Sequence, residues 1–338
     1  MNTLIPTPPA PLSGTTIIEL AAIGPVPFAT RILQQMGAKV IVVDSPNDRG
    51  LGIPIAPQHH YLRHDKQSVC IDLKSQAGRE ELFELISTAD AIVEGFRPGT
   101  LERLGLSPDV LHALTPMLII GRCDGWGNKS PRRLDAGHDI NYLALSGVLS
   151  TIGTEQPIPP INLIGDFGGA GMHLATGLLA ALIRRYKEGC GTVVETSIFE
   201  GTTSLMTMIY GLADAGQWES QRSSNILDGG APYYQCYETA DQQWMAVGAI
   251  EQKFFRMFIH AIGADIDIDR QLDREYWPIM QQEIAARMKS RTRDEWDALF
   301  VNTDCCCTPV LTMDEARGPC GAPTFFNNGI PVPPITFT

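Results

Sequence analysis

The sequence predicts an α/β protein in which a Rossmann-like large domain is followed by a smaller α+β domain. Short apolar runs alternate with helical stretches through the first half of the chain. Near residue 226 this alternation gives way to several short strand-like runs followed by helices. Strands alternating with helices form parallel sheets with right-handed crossovers. We therefore predict a large domain, a linker, a small domain and a C-terminal segment that returns to the large domain, at residues 1–200, 201–225, 226–309 and 310–338.

The predicted elements of the large domain follow one another in strict alternation. Five strands are read from TTIIEL, AKVIVVD, SVCIDL, DAIVEGF and MLIIGRCD, and three helices from FATRILQQMG, QAGREELFELISTA and LERLGLSPDVLHAL. A glycine-rich turn then precedes the helix GMHLATGLLAALIRRYKEG, whose last turn carries cations that suit the negative end of a helix dipole. The strand GTVVETSIF follows. Beyond the linker, APYYQCYETADQQWMAVGAI reads as a meander of short strands, and further helices come after it.

The composition and net charge of the chain argue against nucleic-acid binding and membrane binding. The chain has 338 residues, 44% hydrophobic and 19% charged, with a formal net charge of −12. An acidic surface repels phosphates, so we expect no nucleic-acid partner and no membrane-surface binding. No apolar run of about 18 residues predicts a membrane span, and the N-terminus lacks the pattern of a secretory signal.

Two cofactor patterns are missing from the sequence. No GxGxxG motif follows the first strand, so a nicotinamide-dependent enzyme has little support. The eight cysteines form no CxxC pair, and three are adjacent in a geometry poor for disulfides or a tetrahedral metal site. We therefore predict reduced thiols, a cytoplasmic location and no metal.

Two loop motifs carry residues suited to proton transfer. GHDINY contains His138, and GDFGGAG contains Asp166 just before glycines and the long helix. Helix N-termini present free N–H groups, which can stabilise an oxyanion. Moving a proton across one carbon needs an acid and a base, and Glu251 could fix the tautomer of an imidazole. From the pattern alone, an N-cap role for Asp166, a structural His138 and a surface Glu251 all stay open.

At these residues the sequence resembles the α-methylacyl-CoA racemases, within the class III CoA-transferase superfamily. The resemblance rests on AGHDINYLALSG, NLIGDFGGAGMHL, LDGGAPYYQCYE and VGAIEQKF, and it covers nearly the whole chain. It implies a racemase of 2-methyl-branched acyl-CoA thioesters in fatty-acid metabolism, working by 1,1-proton transfer through an enolate. It implies no cofactor beyond the CoA of the substrate. It also implies an interlocked homodimer of the class III CoA-transferase fold.

The resemblance assigns roles to individual residues. His138 and Asp166 would be the two acid/base groups on opposite faces of the enolate, with the Asp166 N–H helping to hold the thioester oxygen. Glu251 would orient His138, from the partner subunit if the site is shared. Further residues would line the pocket (Asp139, Tyr234, Gly168 and Gly169) or lie near CoA (Arg63, Arg97 and Ser45).

The alternative from the same superfamily is a class III CoA-transferase, in which an aspartate matching Asp166 acts as a nucleophile. His138 favours the racemase, because transferases usually have Tyr or Phe before the following Asp. Ser45 departs from the racemase pattern, which often has Arg there. Since Ser lacks the bidentate charged contact of Arg, the departure predicts weaker CoA binding.

Overall fold

The computed structural model of the chain describes residues 10–47, 50, 52–319 and 321–337. The chain divides into two compact units. The first comprises Met1–Leu149, Pro159–Met208 and Ile330–Thr338, and the second Ser150–Ile158 and Ile209–Gly329. The domain boundaries drawn from the sequence stay predictions.

The first unit is built on a six-stranded parallel sheet, which confirms the predicted fold class. Its strands are β1 Thr16–Leu20, β2 Lys39–Asp44, β3 Gln67–Cys70, β4 Ala91–Glu94, β5 Ile119–Asp124 and β6 Thr192–Ser197. They lie in the order β3-β2-β1-β4-β5-β6. This is the order of doubly wound sheets, in which the direction of winding reverses between β1 and β4.

Helices cover both faces of this sheet. They are α1 Pro25–Gln35, α2 Gln76–Ile86, α3 Thr100–Arg103, α4 Pro108–Leu114, α5 Asp139–Leu145, α6 Met172–Glu188 and α7 Ile198–Leu205. The next helix, α8 Thr207–Asp214, lies almost wholly in the second unit. The stretch LERLGLSPDVLHAL was predicted as one helix but forms two, α3 and α4. Gly105 lies between them at φ +73°, a conformation that ends a helix.

The two faces of β1 belong to different cores. Ile17 shares a buried cluster with Leu33 of α1 and Leu178 of α6. The next residue, Ile18, shares another cluster with Leu82 of α2. Successive strand side chains point to opposite faces, so this alternation is what a sheet covered on both sides requires.

The glycine-rich segment before α6 differs from the prediction. It was expected to form a turn, but Ile164–Gly171 is a π-helix that runs directly into α6. The combined stretch Ile161–Glu188 is long and apolar enough, by length and composition, to cross a membrane. Core helices of globular proteins pass the same test. One face of α6 is buried in the core beside the sheet, which accounts for its apolar character.

The second unit has an antiparallel sheet with helices packed against it. The strands are β7 Tyr234–Glu238, β8 Trp244–Gly248 and β9 Cys307–Pro309. The helices are α9 Gln252–Ile262, α10 Trp277–Met288, α11 Arg293–Phe300 and α12 Met313–Arg317, followed along the chain by β10 Phe326–Asn327 and β11 Ile330–Pro331. Trp296, Phe255 and Phe258 are buried in the core of this unit.

We expect Leu178→Ala to lower the free energy of unfolding by about 2–5 kcal/mol, because it leaves a cavity between α6 and the sheet. Leu178 is buried, and a Cβ on Gly121 of β5 would lie only 3.0 Å from its Cδ2. Equilibrium urea unfolding measures the change. Ile183→Ala on the same helix is the control: Ile183 is 57% exposed, so its replacement should change the value by less than about 0.5 kcal/mol.

Candidate active site

The first unit has a cavity where its sheet changes winding direction. Residues 21–24 follow β1, residues 95–98 follow β4, and residues 123–126 comprise the end of β5 and the two residues after it. All three segments line a space of about 310 Å³. In doubly wound sheets, ligands bind at the carboxyl ends of the strands beside this switch point. The volume lies within the range of small-molecule sites.

The cavity brings together the two proton carriers predicted from the sequence. His138 precedes α5 as its N-cap, and its N–H donates to Asn141 Oδ1 at 3.0 Å. Asp166 lies in the first turn of the π-helix, and both side chains line the cavity. Burial raises the pKa of the Asp166 carboxyl, while a hydrogen bond from Asn162 at 3.1 Å and the charge of His138 oppose part of that rise.

Asp139 connects the segments that carry these two residues. Its Oδ1 accepts a hydrogen bond from the Asp166 N–H at 2.7 Å. In this structure the Asp166 N–H is therefore bound to Asp139, and the expected contact of this N–H with a thioester oxygen stays a prediction. Burial raises the pKa of the Asp139 carboxyl, and the hydrogen bonds from the backbone of Asp166 and Gly165 oppose that rise.

Gly24, which the sequence analysis did not single out, lies directly against the Asp166 carboxyl. A Cβ at Gly24 would lie 2.9 Å from Asp166 Oδ2, and the backbone there has φ +68°. Four residues on, Phe28 of α1 stacks on Phe167, with ring centroids 4.5 Å apart. The first turn of α1 therefore supports the π-helix at the site. No local pattern reveals this contact, because the two segments are far apart in the sequence.

Tyr142 of α5 lines the cavity together with His138. Its hydroxyl donates to the Gly137 carbonyl at 2.8 Å, and its ring meets that of Trp126 edge to face at 4.6 Å. Burial and then the charges of Asp166 and Asp124 raise the pKa of Tyr142 to about 12. The phenol therefore stays protonated near neutral pH. It belongs to the GHDINY motif, so its spacing from His138 was available in the sequence.

The glycines after Asp166 were predicted to line the pocket, but the lining of the cavity does not include Gly168 or Gly169. Gly169 lies against α7 instead: its Cβ would fall 2.8 Å from Thr202 Oγ1, and a Cβ on Gly201 would fall 2.1 Å from its carbonyl oxygen. These glycines allow close packing of the π-helix on α7. The sequence pattern alone did not distinguish this from close approach to a ligand.

The three predicted CoA-binding residues are placed differently. Arg97 follows β4, lines the cavity and makes no ion pair with any described residue. Arg63 donates to Asp44 Oδ2 at 2.5 Å and to Ser68 Oγ at 3.1 Å, so its charge is already compensated. Ser45 follows β2, and its hydroxyl accepts from the Asn47 N–H. Neither Arg63 nor Ser45 lines the cavity.

Two further predicted residues belong to the second unit. Glu251 is the N-cap of α9, and Tyr234 begins β7. The strand register pairs Tyr234 with Gly248, three residues before Glu251, so both lie at the same end of the small sheet. Their roles at the site stay predictions.

Comparisons with known proteins agree with this architecture. The chain is 40% identical over 308 residues to mouse α-methylacyl-CoA racemase, covering 90% of this chain and 79% of the mouse protein. It is also 40% identical to the human α-methylacyl-CoA racemase, covering 90% of this chain and 78% of the human one. A CAIB/BAIF family protein from Brucella suis shares the fold, with a TM-score of 0.78 and 22% identity, over 98% of this chain and 93% of that one. Residues 12–327 match the CoA-transferase family III profile. The chain belongs to CoA-transferase family III.

Proposed function

We propose that this protein is an isomerase, a racemase of 2-methyl-branched acyl-CoA thioesters that acts by 1,1-proton transfer through an enolate. The observation that carries the proposal is the presence of His138 and Asp166 in one cavity at the switch point of the sheet. Epimerisation at one carbon needs a base on one face and an acid on the other. The 40% identity to two α-methylacyl-CoA racemases supports the same reaction and substrate class.

The surroundings of Asp166 suit it to carry a proton. A carboxyl of ordinary pKa is a weak base near neutral pH, and burial makes this one more basic. In one direction Asp166 would take the α-proton and His138 would return one to the opposite face. In the other direction the two would exchange roles.

The enolate oxygen needs a hydrogen-bond donor that the fold has not already used. The Asp166 N–H is bound by Asp139, whereas the N–H of Asp139 itself is the first of α5 and has no partner within that helix. It lies beside His138 in the chain. We assign it as a donor to the thioester oxygen, so the proposal includes no cofactor beyond the CoA of the substrate.

The CoA moiety requires cations on an acidic protein. We propose that Arg97 contacts CoA, because it lines the cavity without an ion pair among the described residues. Arg63, held by Asp44, would contribute less. Ser45 would leave a phosphate contact unmade that Arg could provide.

We also propose that the protein is a cytoplasmic homodimer in which Glu251 of the partner subunit pairs with His138. Several apolar side chains on or beside the site-bearing elements are exposed on the first unit. They are Ile23 at 41%, Ile140 at 43%, Leu145 at 53%, Leu163 at 56% and Met172 at 45%. Contiguous exposed apolar side chains mark interaction surfaces, and in the proposed dimer a second copy would bury these five.

The first test is α-proton exchange with a 2-methylacyl-CoA in deuterated buffer, followed by NMR. We expect deuterium at C2 together with epimerisation. Epimerisation should be lost in His138→Ala and in Asp166→Ala while the fold is kept, because each variant lacks the proton carrier on one face of the enolate. His260→Ala, at an exposed position on α9, is the control and should exchange like the wild type.

Two results would contradict this proposal. Full epimerisation in either site variant would remove that residue from the mechanism. No exchange, together with transfer of CoA to an added free carboxylic acid, would make the protein a CoA-transferase with Asp166 as nucleophile.

We expect Arg97→Ala to raise the dissociation constant for CoA about tenfold or more, since it removes a charge-assisted contact with a phosphate. Calorimetric titration with CoA measures the change. Arg63→Ala should have a smaller effect because Asp44 already compensates that charge. Equal losses in the two variants would mean that both cations reach CoA.

The dimer predicts a particle of twice the 36.9 kDa of one chain in light scattering. It also predicts specific activity that falls when the protein is diluted below its dissociation constant, because the site would be shared. A monomer that keeps full activity at high dilution would contradict a site completed by the partner.

A further inference from the structure

We propose that Asp139 is a positioning residue whose carboxylate fixes the main chain at Asp166 relative to His138. This inference rests on the proposed function, because it explains how the two proton carriers of that reaction keep their spacing. It assigns the Asp139 side chain a role separate from that of its N–H group, and it does not require the side chain to touch the substrate.

The carboxylate joins two segments that the sequence keeps apart. Asp139 is the first residue of α5, immediately after His138, and its Oδ1 accepts the N–H of Asp166 at 2.7 Å. His138 is in turn fixed to the same helix by its own N–H, which donates to Asn141 Oδ1 at 3.0 Å. One side chain therefore connects the main chain of both proton carriers.

The close approach of this carboxylate depends on a glycine. A Cβ on Gly165 would lie 2.3 Å from Asp139 Oδ1 and 3.0 Å from its Cγ, distances that no side chain accommodates without movement. Gly165 is buried, and its position in the π-helix is ordinary for any residue. The need for glycine here therefore comes from the carboxylate and not from backbone conformation.

The energetics favour a link that persists through turnover. Charge-assisted hydrogen bonds from backbone N–H groups to a carboxylate are about twice as strong as neutral ones. The Asp139 side chain is partly buried, so solvent competes less for its lone pairs. Proton transfer is sensitive to geometry, and a displacement of about 1 Å can reduce the rate about 100-fold.

The test compares two substitutions at this position. Asp139→Asn keeps an Oδ1 that can accept the Asp166 N–H, whereas Asp139→Ala removes the acceptor. We expect Ala to lower kcat for α-proton exchange about 100-fold with KM little changed, and Asn to stay within about tenfold of the wild type. Asp109→Asn, in the first turn of the equally short helix α4 and exposed, is the matched control for loss of a charge and should behave as wild type.

A second measurement does not depend on activity. Amide hydrogen exchange, followed by mass spectrometry of peptides covering Ile164–Gly171, should be faster in Asp139→Ala and near wild type in Asp139→Asn. Gly165→Ala should also speed this exchange by expelling the carboxylate. In an Asp139→Ala background the same change should add less, because the carboxylate is gone and only Ile198 Cγ2, 3.2 Å from the new Cβ, would still crowd it.

The outcomes separate the inference from the proposed function. Amide exchange unchanged in Asp139→Ala overturns the link, whatever the activity. Asn as inactive as Ala, with protected amides, overturns the positioning role and makes the carboxylate act through its charge or proton. If the wild type exchanges no α-proton, the racemase proposal fails while the amide measurement still decides whether Asp139 holds Asp166.

Discussion

A buried ion pair holds together the part of the sheet on which the site is built. Lys66 Nζ donates to Glu19 Oε2 at 2.7 Å, to Thr30 Oγ1 at 2.8 Å and to the Pro27 carbonyl at 2.9 Å. Glu19 is in β1, while Thr30 and Pro27 are in α1. The ammonium therefore fixes the first helix to the central strand. Burial lowers the pKa of Lys66 and the charge of Glu19 opposes that shift, as expected for a charge that relies on its partner.

The position of Asp166 follows from this arrangement through α1. The N-cap of that helix, Gly24, lies against the Asp166 carboxyl, and Phe28 one turn later stacks on Phe167. Any shift of α1 along β1 would move Gly24, which lies against the Asp166 carboxyl. The polar network around Lys66 and the stack of Phe28 on Phe167 both hold α1 in place. Both therefore help to fix the position of the Asp166 carboxyl in the cavity. Burial raises the pKa of that carboxyl, so the packing of α1 against it contributes to its basicity.

Much of the large unit could be predicted because its signals are local. The strands of the parallel sheet are apolar runs, the helices have caps and glycine stops, and the connection rule fixes their hand. His138 and Asp166 were found from motifs whose neighbours carry the family resemblance.

The contacts that complete the site were not predictable in this way. Gly24 and Asp139 both contact Asp166, which is more than twenty residues away from each of them in the sequence. Lys66 lies in the polar stretch RHDKQS, which by itself predicts an exposed cation. That Gly168 and Gly169 lie outside the cavity lining could not be read from the sequence, because a glycine required by a helix and one required by a ligand look alike there.

The structure bears differently on the two chemistries available to this family. A basic, partly buried carboxylate suits both a proton carrier and a nucleophile, so the raised pKa of Asp166 does not separate a racemase from a transferase. The separation comes from what else lies in the cavity. A mixed anhydride needs only the carboxylate and room for an acyl group, whereas inversion at one carbon needs a second group that accepts and returns a proton. In the proposed racemase His138 is that group, and α5 and Asp139 connect it to the same π-helix that carries Asp166. A transferase would have no use for so fixed a spacing between an imidazole and its nucleophile, and this favours proton transfer across a single carbon.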